Sequence, residues 1–192
     1  EWLHTHNVSS YDEMTNVPKS LREKLIEDWP LTTSIVTERL ESSDGSRKYL
    51  IELSDGALVE AVGIVDDDGD LASPEPKDDK QDASRPRLTV CASSQVGCAM
   101  GCAFCATGSQ GLERNLTADE IVDQIICIGK DFGTRVDNVV MMGQGEPFQN
   151  YDAVIEAIRR MNSDKGLGIG ARHITISTAG ITDGIYRFAE EP

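Results

Sequence analysis

The sequence predicts an α/β fold in which a short parallel sheet, built from strand–helix units over residues 88–192, follows a small α+β domain at 1–65. Three observations carry that prediction. Asp44-Gly45 and Asp55-Gly56 sit between runs rich in β-branched residues, the strongest short-range signal for hairpins. From Arg87 onward, apolar runs of strand length alternate with stretches of helical period, the pattern of βαβ units. Between the two parts, residues 66–87 hold eight acids, four bases and three prolines with almost nothing apolar. Such a composition cannot offset its own ordering entropy and reads as a flexible acidic loop.

The elements follow in order. Ser10 and Glu13 have capping-box spacing, and Pro18 suits the first turn of a helix that runs to about Trp29 with Leu21, Leu25 and Ile26 on one face. The runs "TSIVTERLES", "RKYLIELS" and "ALVEAVGIV" then form a three-stranded meander. In the second part "RLTVCAS" is a strand, and Thr117 with Glu120 opens a helix to about Asp131 whose Ile121, Ile125 and Ile128 line one side. "VDNVVMM" is an unbroken apolar strand, Tyr151 to Met161 a helix, "RHITIST" the third strand, and Thr182 the start of a last helix. Three parallel strands cannot close a barrel, so the open edge and apolar face they leave suggest the front portion of a larger protein.

With 18 basic against 33 acidic residues, the net charge of −15 counts against a polyanionic partner, because nucleic-acid binding usually rests on a basic face. No run approaches the roughly 18 to 20 apolar residues of a membrane span, and the start "EWLH" has no secretory character. The expectation is a cytoplasmic protein with no membrane partner. Five cysteines, three of them clustered, suit metal binding or redox chemistry better than disulfides in a reducing compartment.

Those three have the spacing Cys98-x3-Cys102-x2-Cys105 on a glycine-bearing loop directly after a strand. Structural zinc takes four protein ligands, and no fourth Cys or His lies at finger-like distance; Cys91 is inside the strand and His173 far away. An iron–sulfur cube held by three thiolates leaves one iron open to a small chelating ligand.

On these residues the chain resembles the radical S-adenosylmethionine (radical SAM) enzymes, whose mark is this cysteine spacing after the first strand of a partial (β/α) barrel. The resemblance implies a [4Fe-4S] cluster on Cys98, Cys102 and Cys105, with S-adenosyl-L-methionine chelated at the open iron and cleaved to a 5'-deoxyadenosyl radical. The stretches "VCASSQVGC", "FCATGSQGLERNLTADEIVDQI", "NVVMMGQGEP" and "ITISTAGI" further resemble the RlmN and Cfr type of adenine methyltransferase. That likeness runs over almost the whole chain and makes residues 88–192 the first three βα units of the barrel. It implies methylation at ring carbon 2 of an adenosine in large-subunit rRNA, through a methyl-cysteine that lies beyond this sequence, and leaves open whether tRNA is a substrate as well. It also implies an electron donor such as a flavodoxin, and a monomer. A ring carbon bearing hydrogen is too electron-poor to attack a sulfonium methyl, which is why a radical route is needed.

Carried over by position, Cys91 matches a resolving cysteine and Glu60 a proton acceptor. Strand alternation puts Glu60 with Leu58, Val62 and Ile64, a carboxylate on an otherwise apolar side, which fits proton transfer. Gly145 and Glu146 follow a strand at the end where barrel enzymes place their sites; the resemblance has the glycine backbone approach the cofactor and Glu146 help receive its ammonium, with Ser177 near its carboxylate or ribose. Cys127 reads as a core thiol, and Arg114 either meets phosphate or is solvated or on the cofactor side. Competing readings are methylation at carbon 8, a radical SAM enzyme with a non-RNA substrate, and a non-catalytic zinc module. RNA enters through resemblance alone, since the composition offers no basic stripe.

Overall fold

The structure, a computed structural model, describes residues 10–28, 34–66 and 86–191. Most of the acidic stretch lies outside them, as do Trp29, His4 and His6. Ser10 caps a 3-10 turn, Tyr11–Glu13, through the expected reciprocal box with Glu13, and helix α1 follows over Lys19–Asp28. Its shared apolar face is not buried against the described residues, Leu21 and Ile26 being about half exposed.

The meander forms as read: β1 (Ile35–Glu41), β2 (Arg47–Glu52) and β3 (Leu58–Asp66) are antiparallel neighbours joined at the two Asp-Gly turns. It is not a separate sheet. Strand β4 (Arg87–Cys91) pairs antiparallel with β3 and parallel with β7 (Asn138–Met141), which pairs parallel with β8 (Ile174–Ile176). One six-stranded sheet of order β1-β2-β3-β4-β7-β8 results. The remaining strands, β5 (Gln95–Gly97) and β6 (Leu112–Asn115), make a hairpin that the apolar periodicity did not announce.

Helices α2 (Ala118–Phe132), α3 (Tyr151–Asn162) and α4 (Thr182–Ala189) start where the sequence places them. The Thr117–Glu120 capping box opens α2, and Gly133 ends it in the left-handed conformation. Ile121, Ile125 and Ile128 are fully buried against Tyr49, Ile51, Val59, Leu88, Val90 and Val139, all on one face of the sheet. Removing side chains of this size from water stabilises by roughly 1.5–3 kcal/mol each, which fixes the strand register because a one-residue slip would turn them outward. At the far end of α2, Arg39, Arg47 and Tyr49 all reach the Asp131 carboxylate, and Arg47 lies over the Phe132 ring at 4.2 Å. These contacts tie the meander to the helix.

The opposite face behaves differently. Lys48, Leu50, Glu60, Val62, Thr89, Cys91, Asn138 and Val140 are exposed or only partly buried. The apolar run "VVMM" is therefore buried on one side only, with Met142 54% exposed. No helix of the described residues is long and apolar enough to cross a membrane.

Gly63 marks a close contact between sheet and α2: a Cβ there would stand 2.5 Å from Phe132 and 2.8 Å from Ile128. Gly63→Ala should cost about 1–3 kcal/mol through overpacking, read as a lower urea midpoint at unchanged m value.

Candidate active site and metal centre

The site is built on three consecutive buried polar residues, Ser93, Ser94 and Gln95, at the carboxyl end of β4. Burial leaves each polar atom a choice between a protein partner and a penalty of about 1–3 kcal/mol, and the surrounding elements supply the partners. Ser93 N–H donates to Gln124 Oε1 at 2.8 Å, and Gln124 Nε2 returns a bond to Ser93 O at 3.0 Å, anchoring the segment to α2. The Ser93 hydroxyl donates to the Glu60 carbonyl at 2.6 Å and accepts from Gln144 N–H at 2.8 Å. Ser94 N–H donates to Gln144 O, and Asn150 Nδ2 bridges Ser94 O and Leu116 O. Gln95 donates through Nε2 to Asn115 Oδ1 and accepts at Oε1 from Glu146 N–H. The segment thus joins β3, α2, β6 and the loop after β7.

From Gln95 the chain enters the β5–β6 hairpin, and its long loop carries Cys98, Cys102 and Cys105. Cys98 N–H donates to Gly111 O at 2.9 Å, closing the neck of the loop. Gly97, at φ +74, is required there, because a Cβ would overlap that same carbonyl oxygen. All five cysteines are free thiols. The backbone N–H groups of Gly108 and then Thr107 hold the Cys105 thiol below its ordinary range, favouring the thiolate that a metal requires. The donor set therefore fits an iron–sulfur cluster: three soft sulfurs on one loop. No three His, Cys, Asp or Glu side chains among the described residues are gathered around a common centre.

Arg114, on β6 just past the loop, is partly exposed and paired with two carboxylates. Its guanidinium grips the Glu120 carboxylate through two bonds of 2.8 and 2.9 Å and reaches Asp55 Oδ2 at 2.7 Å. It thereby pins the β2–β3 turn and α2 to the cysteine hairpin. A cleft of about 440 Å³ opens between Asp55, Leu58, Gly97, Gly111, Glu113 and Gln144, beside the first cysteine. Gln144 Oε1 is buried and has no hydrogen-bond partner among the described residues.

Cys91 and Glu60 come together on the open face of the sheet. Cys91 pairs with Val62, two residues along β3 from Glu60, which makes the two side chains diagonal neighbours with Cα atoms about 7 Å apart. Their environments differ from expectation. Glu60 does not sit on an enclosed apolar side; it is half exposed and ion-paired to Lys48 Nζ at 2.6 Å, because no described element covers this face. Burial pushes the Cys91 thiol up, with the Met142 backbone N–H opposing.

Gly145 and Glu146 form the turn after β7. Gly145, at φ +99, makes its close approach to the chain itself: a Cβ would stand 2.6 Å from Gln95 Cβ and 2.7 Å from Ser94 Oγ. Glu146 is 3% exposed, and its carboxylate accepts from Phe148 N–H, Thr178 Oγ1 and Ala179 N–H at 3.0, 2.8 and 2.7 Å. With those donors in place the side chain holds the loops after β7 and β8 together. Ser177 is exposed, one residue beyond β8. Cys127 is partly buried with its thiol pushed up to about 11 by burial and then Asp123, as a core thiol should be. His173 Nδ1 bonds Asn138 Oδ1 at 2.8 Å and joins no cluster.

Sequence reading missed Ser93–Gln95, Gln124 and Asn150. Gln124 had a legible signal: it falls on the apolar side of α2, between Ile121 and Ile128, where a polar residue needs a buried partner.

A sequence model of the radical SAM superfamily matches residues 93–191, and one of the ribosomal RNA large subunit methyltransferase N-terminal domain matches 1–29. The chain is 44% identical over its whole length to the probable dual-specificity RNA methyltransferase RlmN of Bacillus velezensis, covering 48% of that protein. It is 43% identical, with the same coverage, to the protein of that name from Staphylococcus haemolyticus. Among solved structures, a radical SAM methyltransferase from Sphaerobacter thermophilus superposes with a TM-score of 0.83 at 40% identity, over all of this chain and 52% of that one. The chain thus spans about half the length of the curated relatives it matches.

The Arg114–Glu120 pair yields a prediction with a pH sign. Burial alone would raise the Glu120 carboxyl, but bonds from Arg114 and the Thr117 N–H outweigh it and hold the group below its ordinary range. A folded value below the unfolded one gives stability that is present above the unfolded pKa of about 4.3 and lost as pH falls through the folded value. Arg114→Met should lower unfolding free energy at neutral pH by about 2 kcal/mol, by leaving Glu120 buried and unpaired. The wild-type advantage should fade in urea titrations run at progressively more acid pH.

Proposed function

This chain belongs to the radical SAM superfamily, and on that premise we propose that it supplies the cluster- and cofactor-binding part of an enzyme that methylates an adenosine of large-subunit rRNA at ring carbon 2. The superfamily implies a [4Fe-4S] cluster and S-adenosyl-L-methionine as cofactors. The observation that carries the reading is the position of the cysteine loop. It is mounted by buried hydrogen bonds at the same end of the sheet as the Gly145–Glu146 turn and the loop after β8.

Cys98, Cys102 and Cys105 would hold the cluster. The cofactor would lie beside the Gly145–Glu146 turn, where Glu146 keeps the two loops in place and Ser177 stands open to contact it. When bound, the pair supplies one-electron chemistry suited to an aromatic carbon that is a poor nucleophile. The chain's own residues serve the proton steps: Glu60 as acceptor of the ring proton, and Cys91, its diagonal neighbour, as the resolving thiol. Its burial keeps Cys91 protonated until a cationic group comes near.

Similarity to RNA methyltransferases over the whole of this chain and about half of those proteins supports RNA as the substrate, with tRNA as a further class. A methyl-carrying cysteine outside this sequence, a one-electron donor such as a flavodoxin, a monomeric state and a cytoplasmic setting complete the proposal. The outward arginines favour no second RNA site, since Arg159, Arg160 and Arg187 are each paired with carboxylates.

Anaerobic reconstitution with iron and sulfide should give a brown protein with ~4 irons per chain. Any one of Cys98→Ala, Cys102→Ala or Cys105→Ala should abolish the colour. A colourless protein holding one zinc would overturn the reading. Nucleoside mass spectrometry of rRNA treated with the full-length protein should show one methyl on adenine carbon 2, whereas a carbon 8 product or unmodified RNA would refute the assigned position or substrate.

A further inference from the structure

We infer that Lys48 is a positioning residue for Glu60, an inference that rests on the proton-acceptor reading given above. The β2–β3 register places Lys48 opposite Val62 and Leu50 opposite Glu60, so the lysine reaches diagonally to bring Nζ 2.6 Å from Glu60 Oε1. Val62 in turn faces Cys91, and Cys91 faces Val140. Lys48, Val62, Cys91 and Val140 thus form one row across the open face, with Glu60 a single step from its middle.

The pair is poorly suited to a purely structural role. The two side chains are 48% and 44% exposed, and ion pairs this open contribute about 0–1 kcal/mol to stability. What a fixed ammonium can do here is directional. Glu60's nearest neighbours on this face are apolar, Leu50 beside it and Leu58 and Val62 along its own strand. Without the lysine, nothing described nearby would keep the carboxylate turned along the sheet. The proton itself goes from the substrate ring carbon to the Glu60 carboxylate: a C–H bond breaks, an O–H bond forms, and the electron pair stays with the ring.

The test uses the cluster-loaded full-length protein and steady-state methylation of an rRNA fragment. Lys48→Met should lower kcat about tenfold with KM for RNA within about twofold, since only the placement of the acceptor is lost. Lys48→Arg should recover most of the rate by restoring a cation at the same reach. Lys48→Gln repeats the measurement should the methionine variant fail to take up the cluster. Unchanged kcat in both neutral variants overturns the inference. So does a raised, salt-sensitive KM with kcat intact, which would make Lys48 a phosphate contact, or a failure of arginine to rescue. Glu60→Gln separates the two layers: full activity there removes the proton-acceptor reading itself, whereas an inactive Glu60→Gln beside a fully active Lys48→Met removes only the role of Lys48.

Discussion

The site depends on the burial of Ser93, Ser94 and Gln95 with every backbone connection made. A polar segment in the interior is tolerable only when fully partnered, and its partners come from β3, α2, β6 and the loop after β7. The requirement works in both directions. The segment cannot be buried unless those elements arrive, and once they arrive their relative positions are fixed to within hydrogen-bond tolerance. From Gln95 the constraint passes through Glu146 to Thr178 and Ala179, so three strand ends are linked by one continuous polar chain. Rigidity of this kind is what a metal site on a surface loop needs from its support.

The two faces of the sheet divide the labour. One face is closed by the isoleucines of α2 and by α3 and provides the hydrophobic stability. The other, left half open, lines up Lys48, Val62, Cys91 and Val140 in register across four strands, with Glu60 one step from the row. Glycine at position 63 lets α2 come close to the first face, while the glycines at 143 and 145 let the loop after β7 come close to Ala92–Gln95. Backbone proximity at these places substitutes for side-chain volume.

How much of this could be read beforehand follows from the range of the interactions. Capping boxes at Ser10 and Thr117, the Asp-Gly turns and the helical period of Ile121, Ile125 and Ile128 are local features, and each element they announce is present. The cysteine spacing is local too. The β5–β6 hairpin escaped because its short strands are separated by the cysteine loop and carry no alternation. The environments of Glu60, Arg114 and Glu146 escaped for a different reason. Lys48, Glu120 and Thr178 meet them only after the chain has folded, and alternation along one strand does not say which face is left uncovered.

The neck formed by Gly97 and Gly111 has a consequence for how the loop tolerates change. Because the loop is closed by its own backbone hydrogen bond and its base is clamped by Arg114, side chains between the two glycines can vary without opening the closure, whereas any residue but glycine at 97 would push the Gly111 carbonyl away and part the two strands.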